Sequence, residues 1–129
     1  MKLLLDTHVF LWWLTADEQL SARAKRVIRD GKNEVFFSAA SAWEIAIKAK
    51  LGRVTLPEDA ERYIPAQLEL NAFQVLPIRV QHALRVASLP DLHRDPFDRL
   101  LVAQALIEDL TVITKDRRLS GYSVRVLWQ

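Results

Sequence analysis

Asp98 stands where an ionised side chain is hard to accommodate. It belongs to His93-Arg94-Asp95-Pro96-Phe97-Asp98-Arg99-Leu100-Leu101, in which Asp95 before Pro96 marks a helix start. Asp accepts hydrogen bonds from the free amides of a first turn, and Pro fits the first helical position. On a helix running toward Asp109, Asp98 shares one face with Leu101, Val102, Ala105 and Leu106, at i+3, i+4, i+7 and i+8. A carboxylate at the head of a core-facing stripe must be answered by a metal ion, an Arg or the helix N-terminus. Asp95 and Asp98 also form an Asp-x-x-Asp variant of a capping box, so the local sequence leaves cap and site both open.

The other acids weigh on that choice, and their positions depend on the elements that carry them. Leu3-Leu4-Leu5 is an unbroken apolar run of the kind buried parallel strands show, and Asp6 ends it. Thr7 can cap the helix that follows, whose Val9, Phe10, Trp12, Trp13 and Leu14 make it apolar nearly all round. Two adjacent tryptophans cannot both point inward, so one is expected to face a neighbour. A second helix is expected over about 21–30, stopped by Gly31. Val35-Phe36-Phe37 reads as a second strand, and Ser38 and Ser41 are competing starts for a third helix reaching Leu51. On it Glu44 lines up with Ala40, Ile47 and Leu51. Its local alternatives are a Ser41-x-x-Glu44 capping box and an i, i+4 ion pair with Lys48.

Residues 58–70 read as helix interrupted near Pro65, and 73–78 contain a third strand that Pro77 closes. A helix over 80–86 and a loop over 89–94 lead to the Asp98 helix. Thr111-Val112-Ile113-Thr114 forms a fourth strand followed at once by Lys115-Asp116, and 124–127 can add an edge strand. Strands alternating with helices predict an α/β sandwich around a mainly parallel sheet of four to five strands. In such sheets the working cleft lies beyond the carboxyl ends of the strands. Asp6 and Asp116 follow strands directly, while Glu44 and Asp98 lie in early turns of helices. Four acids are thereby delivered to one edge.

Two ionised carboxylates about 5 Å apart repel by roughly 3 kcal/mol at an effective dielectric of 20. Either some protonate or a divalent cation neutralises them, and hard oxygen ligands suit Mg²⁺ or Mn²⁺. A solvent-open carboxylate cluster holding such an ion suggests phosphodiester hydrolysis, the ion polarising a phosphoryl oxygen and activating a water that attacks in line. The sequence offers no Ser-His-Asp or Cys-His arrangement. Its three histidines lack ligand spacing: His82 reads as structural, and His8 and His93, beside acids, as candidates for substrate contact.

Composition sets the class. The chain has 129 residues, half of them hydrophobic, and no cysteine, which predicts one domain (1–129) without disulfides or thiolate zinc sites. Three apolar residues after Met1-Lys2 are too few for a signal peptide, and no stretch reaches the length of a membrane span, so a soluble cytoplasmic protein without membrane contact is expected. The net charge of +2 says little about nucleic acid by itself. Arg23, Lys25, Arg26 and Arg29 crowd one helix, Lys48, Lys50 and Arg53 another segment, and Arg117-Arg118 follows a strand. Each cluster is read first as a solvated face.

Leu4-Leu5-Asp6-Thr7-His8, Trp43-Glu44, Asp95-Pro96-Phe97-Asp98-Arg99-Leu100 and Ile113-Thr114-Lys115-Asp116 resemble the successive motifs of PIN-domain ribonucleases, specifically the VapC-like toxins of bacterial type II toxin-antitoxin pairs. The resemblance spans essentially the whole chain. It implies a three-layer PIN-like sandwich and a Mg²⁺- or Mn²⁺-dependent endoribonuclease that cuts selected RNA until a cognate antitoxin blocks it. It further implies that Asp6, Glu44 and Asp98 are the consistent metal ligands and catalytic acids, Asp116 the more variable fourth, and Asp95 a possible additional acid. It also implies a homodimer, and an antitoxin segment lying across the early helices, where Trp12 and Trp13 would suit either contact. Thr7, Lys48, Arg53 and Arg94 are the candidate substrate contacts.

Two other classes compete. A phosphoacceptor receiver domain has similar length and alternation but needs an acidic pair at the first strand and an Asp after the third, where this chain has Leu76-Pro77-Ile78. A non-catalytic RNA-binding PIN module would not need all four carboxylates.

Overall fold

The computed structural model describes residues 1–129. Its centre is a strand, β1 (Lys2–Leu5), in which Leu3, Leu4 and Leu5 are wholly buried. Because side chains alternate across a strand, Leu3 and Leu5 enter one apolar cluster and Leu4 a second on the opposite face. That division produces three layers. The first face is covered by α1 (Thr7–Thr15), α2 (Ala22–Arg29) and α4 (Ala60–Leu70), the second by α6 (Pro96–Glu108) and a 3-10 helix (Arg117–Tyr122). Between them lie β2 (Glu34–Ser38), β3 (Gln74–Leu76), β4 (Thr111–Ile113) and β5 (Val126–Leu127), with α3 (Ala39–Lys50) and α5 (Val80–Val86) completing the chain.

All five strands are parallel, in the order β3-β2-β1-β4-β5. The expected mainly parallel sheet of four to five strands is therefore present, down to the short edge strand. Strand order removes the receiver alternative. That fold places its third strand beside the first, on the side away from the second, whereas here β3 pairs with β2 and β1 is flanked by β2 and β4. The chain reverses its winding at β1, so a crevice opens past Leu5, Ser38 and Ile113.

Several local expectations need correction. The helix expected to break near Pro65 runs unbroken through it. Proline inside a helix costs about 3 kcal/mol, but Ile64 and Leu68 are buried in the cluster that holds Phe10 and Phe73, and that packing outweighs the lost backbone bond. Gly31 follows the C-cap Asp30 of α2 at its expected place, but without the left-handed φ of a glycine stop; Gly52 after α3 is the glycine with left-handed φ, +74°. Trp12 and Trp13 are both half-buried, each against a neighbour within the chain. Trp13 Nε1 donates to Asn71 Oδ1 at 3.0 Å, and Trp12 packs on Trp128 with ring centroids 6.0 Å apart. No helix is long and apolar enough to cross a membrane.

Candidate metal centre

The crevice collects acids because strand ends and helix starts meet there. Asp6, the residue after β1, caps α1 itself, leaving Thr7 as the first helical residue. Its Oδ1 accepts from Val9 N at 2.8 Å and its Oδ2 from the Thr114 hydroxyl at 2.5 Å. Burial raises its pKa above the usual carboxylate range against the pull of these bonds.

Glu44 reaches the same place from α3, which starts at Ser38, whose hydroxyl accepts from Ala40 N. The Ser41 capping box does not form. The buried face of α3 is Ala40, Ser41, Glu44 and Ile45, whereas Ile47 and Leu51, expected beside Glu44, are exposed. Glu44 Oε1 accepts from the Thr7 hydroxyl at 2.6 Å, with Ser41 Oγ 2.9 Å from that same hydroxyl oxygen. Its Oε2 pairs with Lys48 Nζ at 2.5 Å, the i, i+4 partner that the spacing suggested. Thr7 is thus buried and orients an acid.

Asp98, in the first turn of α6, feels all of them. Burial, then the charges of Asp95, Asp6, Glu44 and Asp116, push its pKa up to about 7. Contacts link these acids in two groups: Thr7, next to Asp6, donates to Glu44, and the Thr114 hydroxyl that donates to Asp6 accepts from Asp116 N at 3.0 Å, while Asp98 and Asp116 share His93. Asp95 caps α6: its Oδ1 accepts from Phe97 N at 2.8 Å and Asp98 N at 3.4 Å. Its geometry is that of a cap, and its charge still acts on Asp98.

Asp116 differs in kind. Oδ1 accepts from Arg118 N at 3.0 Å and Nε at 3.1 Å, and Oδ2 from Arg118 Nη2 at 2.9 Å. The Arg118 fork holds the pKa at about 2 against some burial, with His93 assisting. Asp116 is therefore compensated by the protein itself, and the unanswered repulsion centres on Asp98.

His93, which spacing did not single out as part of an acid cluster, lies 2.9 Å from Asp116 Oδ2 and 3.2 Å from Asp98 Oδ2 through Nε2. One ligand-type atom from each of these three residues falls within 4.8 Å of the others. The signal available in the sequence was its place on the loop entering the Asp95 cap. His8 is exposed, 5.9 Å from Trp12 between ring centroids. His82 is fully buried, with Nε2 2.8 Å from Glu108 Oε2, the structural part expected of it. Arg53 and Arg94 are exposed; neither is joined to the four acids, so geometry brings only Thr7 and Lys48 of the four candidate substrate contacts onto them.

The donors are hard carboxylate oxygens, and Asp98 sits in a field that disfavours its own ionisation. Both properties fit a divalent cation of the Mg²⁺ or Mn²⁺ type. The arrangement could hold an ion against a phosphodiester, with Lys48 at the rim.

Comparison with known proteins agrees. The PIN domain family model matches residues 3–124. Ribonuclease VapC22 of Mycobacterium tuberculosis is 31% identical over 120 residues, covering 92% of this chain and 90% of that protein. Ribonuclease VapC16 of the same organism is 39% identical over 70 residues, 54% of this chain but only 47% of the relative, so the chain spans about half the length of that protein. Among solved structures, the crystal structure of VapBC2 from Rickettsia felis bound to a promoter DNA fragment superposes over 100% of both chains with a TM-score of 0.74 at 12% identity, a likeness of fold. With sheet order, converging acids and sequence in agreement, the chain belongs to the PIN domain family as a VapC-like member.

Proposed function

We propose that this chain is a single-domain endoribonuclease toxin, dependent on Mg²⁺ or Mn²⁺, acting in the cytoplasm on selected RNA and inhibited by a cognate antitoxin. The observation that carries the reading is the field at Asp98, where four other carboxylates and burial hold an acid near pH 7. Names of the relatives support the RNA substrate, and the VapBC assemblies among the structural neighbours support an antitoxin partner.

In this reading Asp6, Glu44 and Asp98 hold the ion and Asp116 borders it. Asp95 serves as the cap that sets the angle of α6. A bound divalent cation supplies Lewis acidity, neutralising phosphoryl charge and generating a nucleophile from water. Thr7, Ser41 and Thr114 orient the carboxylates, and Lys48 answers Glu44 until substrate phosphate is present. Arg53 and Arg94, both exposed, would engage flanking phosphates. Trp43, 60% exposed, with Ile47 and Leu51 forms an outward apolar stripe on α3, and Val80 and Leu84 form another on α5. Such stripes support a homodimer.

The test is cleavage of RNA by purified protein with Mg²⁺ or Mn²⁺. Chelator should stop it, and Asp98→Asn should lower it by more than about 100-fold while the circular dichroism spectrum persists. Metal-independent cleavage, or a fully active Asp98→Asn, would sink the assignment. Absence of cleavage with intact metal binding would favour a binding module.

A further inference from the structure

His93 is tied into the centre by both ring nitrogens. Its side chain is 6% exposed, and Nδ1 accepts a hydrogen bond from Asp95 N at 3.0 Å. A backbone N–H only donates, so Nδ1 carries a lone pair and the ring proton sits on Nε2. That Nε2–H faces Asp116 Oδ2 at 2.9 Å and Asp98 Oδ2 at 3.2 Å at once.

We propose that His93 is a positioning residue: its Nε2–H holds Asp98 and Asp116 at a set separation, and the imidazole stays outside the coordination sphere of the divalent ion. The closeness of one ligand-type atom each from His93, Asp98 and Asp116 invites the opposite reading, with Nε2 as a ligand. Ligation there needs a lone pair on Nε2, which sends the proton to Nδ1 and sets two donors, Nδ1–H and Asp95 N–H, against each other. Escape would require the loop to move, and the loop is braced. Arg99 donates to Pro90 O at 2.9 Å, to Val86 O at 3.0 Å and to Tyr122 Oη at 3.3 Å. Gly121 lies so close that a Cβ there would meet Leu92 Cδ1 at 2.9 Å. A histidine donating to a ligating carboxylate and to the one that borders it reverses the usual outer-shell pattern in which a carboxylate orients a ligating histidine, and it does the same work of fixing ligand geometry.

The tautomer stands on geometry alone, while the part His93 plays toward an ion rests on the metal-dependent reading above. Nitrogen-15 resonances of the metal-free protein should show His93 protonated at Nε2 and not at Nδ1; a proton on Nδ1 would overturn the proposal. Mn²⁺-loaded protein, examined by electron spin echo spectroscopy, should show no directly bound nitrogen. A nitrogen coupling that vanishes in His93→Ala would overturn it as well. In Mn²⁺ titrations His93→Ala should weaken binding about 10- to 100-fold, and His93→Gln, whose amide can donate from nearly the Nε2 position, should recover most of that loss. Unchanged affinity in His93→Ala, or no recovery in a folded His93→Gln, would count against it. Wild-type protein that binds no Mn²⁺ would overturn the nuclease reading and the positioning role together, whereas binding through His93 nitrogen would overturn only the latter.

Discussion

Replacing Asp98 by Asn should stabilise the metal-free protein, and the gain should depend on pH. In the unfolded chain the carboxyl ionises near its ordinary 3.8, but in the folded one only near 7. Between those values the native state holds the extra proton, so the stability contributed by Asp98 is fully present below about pH 4 and is lost as pH rises toward 7. Asn is neutral throughout. Its advantage over Asp98 therefore grows across this window and levels off above it. Each tenfold change in proton affinity is worth about 1.36 kcal/mol, which puts a ceiling of about 4 kcal/mol on the gain. The Asp98 side chain is still 21% exposed, and solvent screening there brings the expected value to about 2 kcal/mol at pH 8. For a chain of this length that corresponds to a rise in Tm of roughly 8 °C. Thermal or urea unfolding in chelator at pH 5 and pH 8 reads it directly. Adding Mn²⁺ should invert the order, because an ion at a hundred times its Kd stabilises the native wild type by about 2.7 kcal/mol and finds a weaker site in the variant. An Asp98→Asn protein less stable than wild type in chelator, or offset equally at both pH values, would refute repulsion as the organising force of the site.

Other outcomes follow from single contacts. Arg118→Ala should raise the Asp116 titration from about 2 toward the ordinary 3.8, seen in carboxyl carbon-13 shifts against pH. Because a depressed acid contributes stability above its unfolded value and loses it as pH falls through its folded one, the variant should be less stable than wild type above about pH 4, and the difference should vanish as pH falls toward 2. Gln104 is fully buried and joins Ser38 Oγ at 2.5 Å to Pro77 O at 3.2 Å. Gln104→Leu strands these groups and should cost about 2–3 kcal/mol in urea unfolding. Pro65 is exposed inside α4, so Pro65→Ala should stabilise by about 1–2 kcal/mol, the restored helix bond exceeding the added freedom of the unfolded chain.

Features decided by near neighbours were legible in the sequence. Leu3-Leu4-Leu5 reads as a buried strand because three successive apolar residues must face both sides of a sheet. Asp95-Pro96 reads as a helix start, and Asp98, Leu101, Val102 and Ala105 share a face because 3.6 residues make a turn. Alternation of such elements sufficed for parallel pairing, and parallel pairing for the edge at which the acids meet.

What only the tertiary structure decided is which way side chains turn and which charges are answered. Glu44 is buried with Ser41 and Ile45 rather than with Ile47 and Leu51 because Thr7, far away in sequence, draws that face inward. α4 passes Pro65 because Phe10 and Phe73 wait to be packed. Asp116 is neutralised by Arg118 and Glu44 by Lys48, whereas the one direct polar partner of the Asp98 carboxylate is a shared imidazole. Local propensity acts over a turn or two of chain. Desolvation and Coulomb energies act through space, between groups whose separation along the polypeptide is immaterial, and they are set only once every layer is in place.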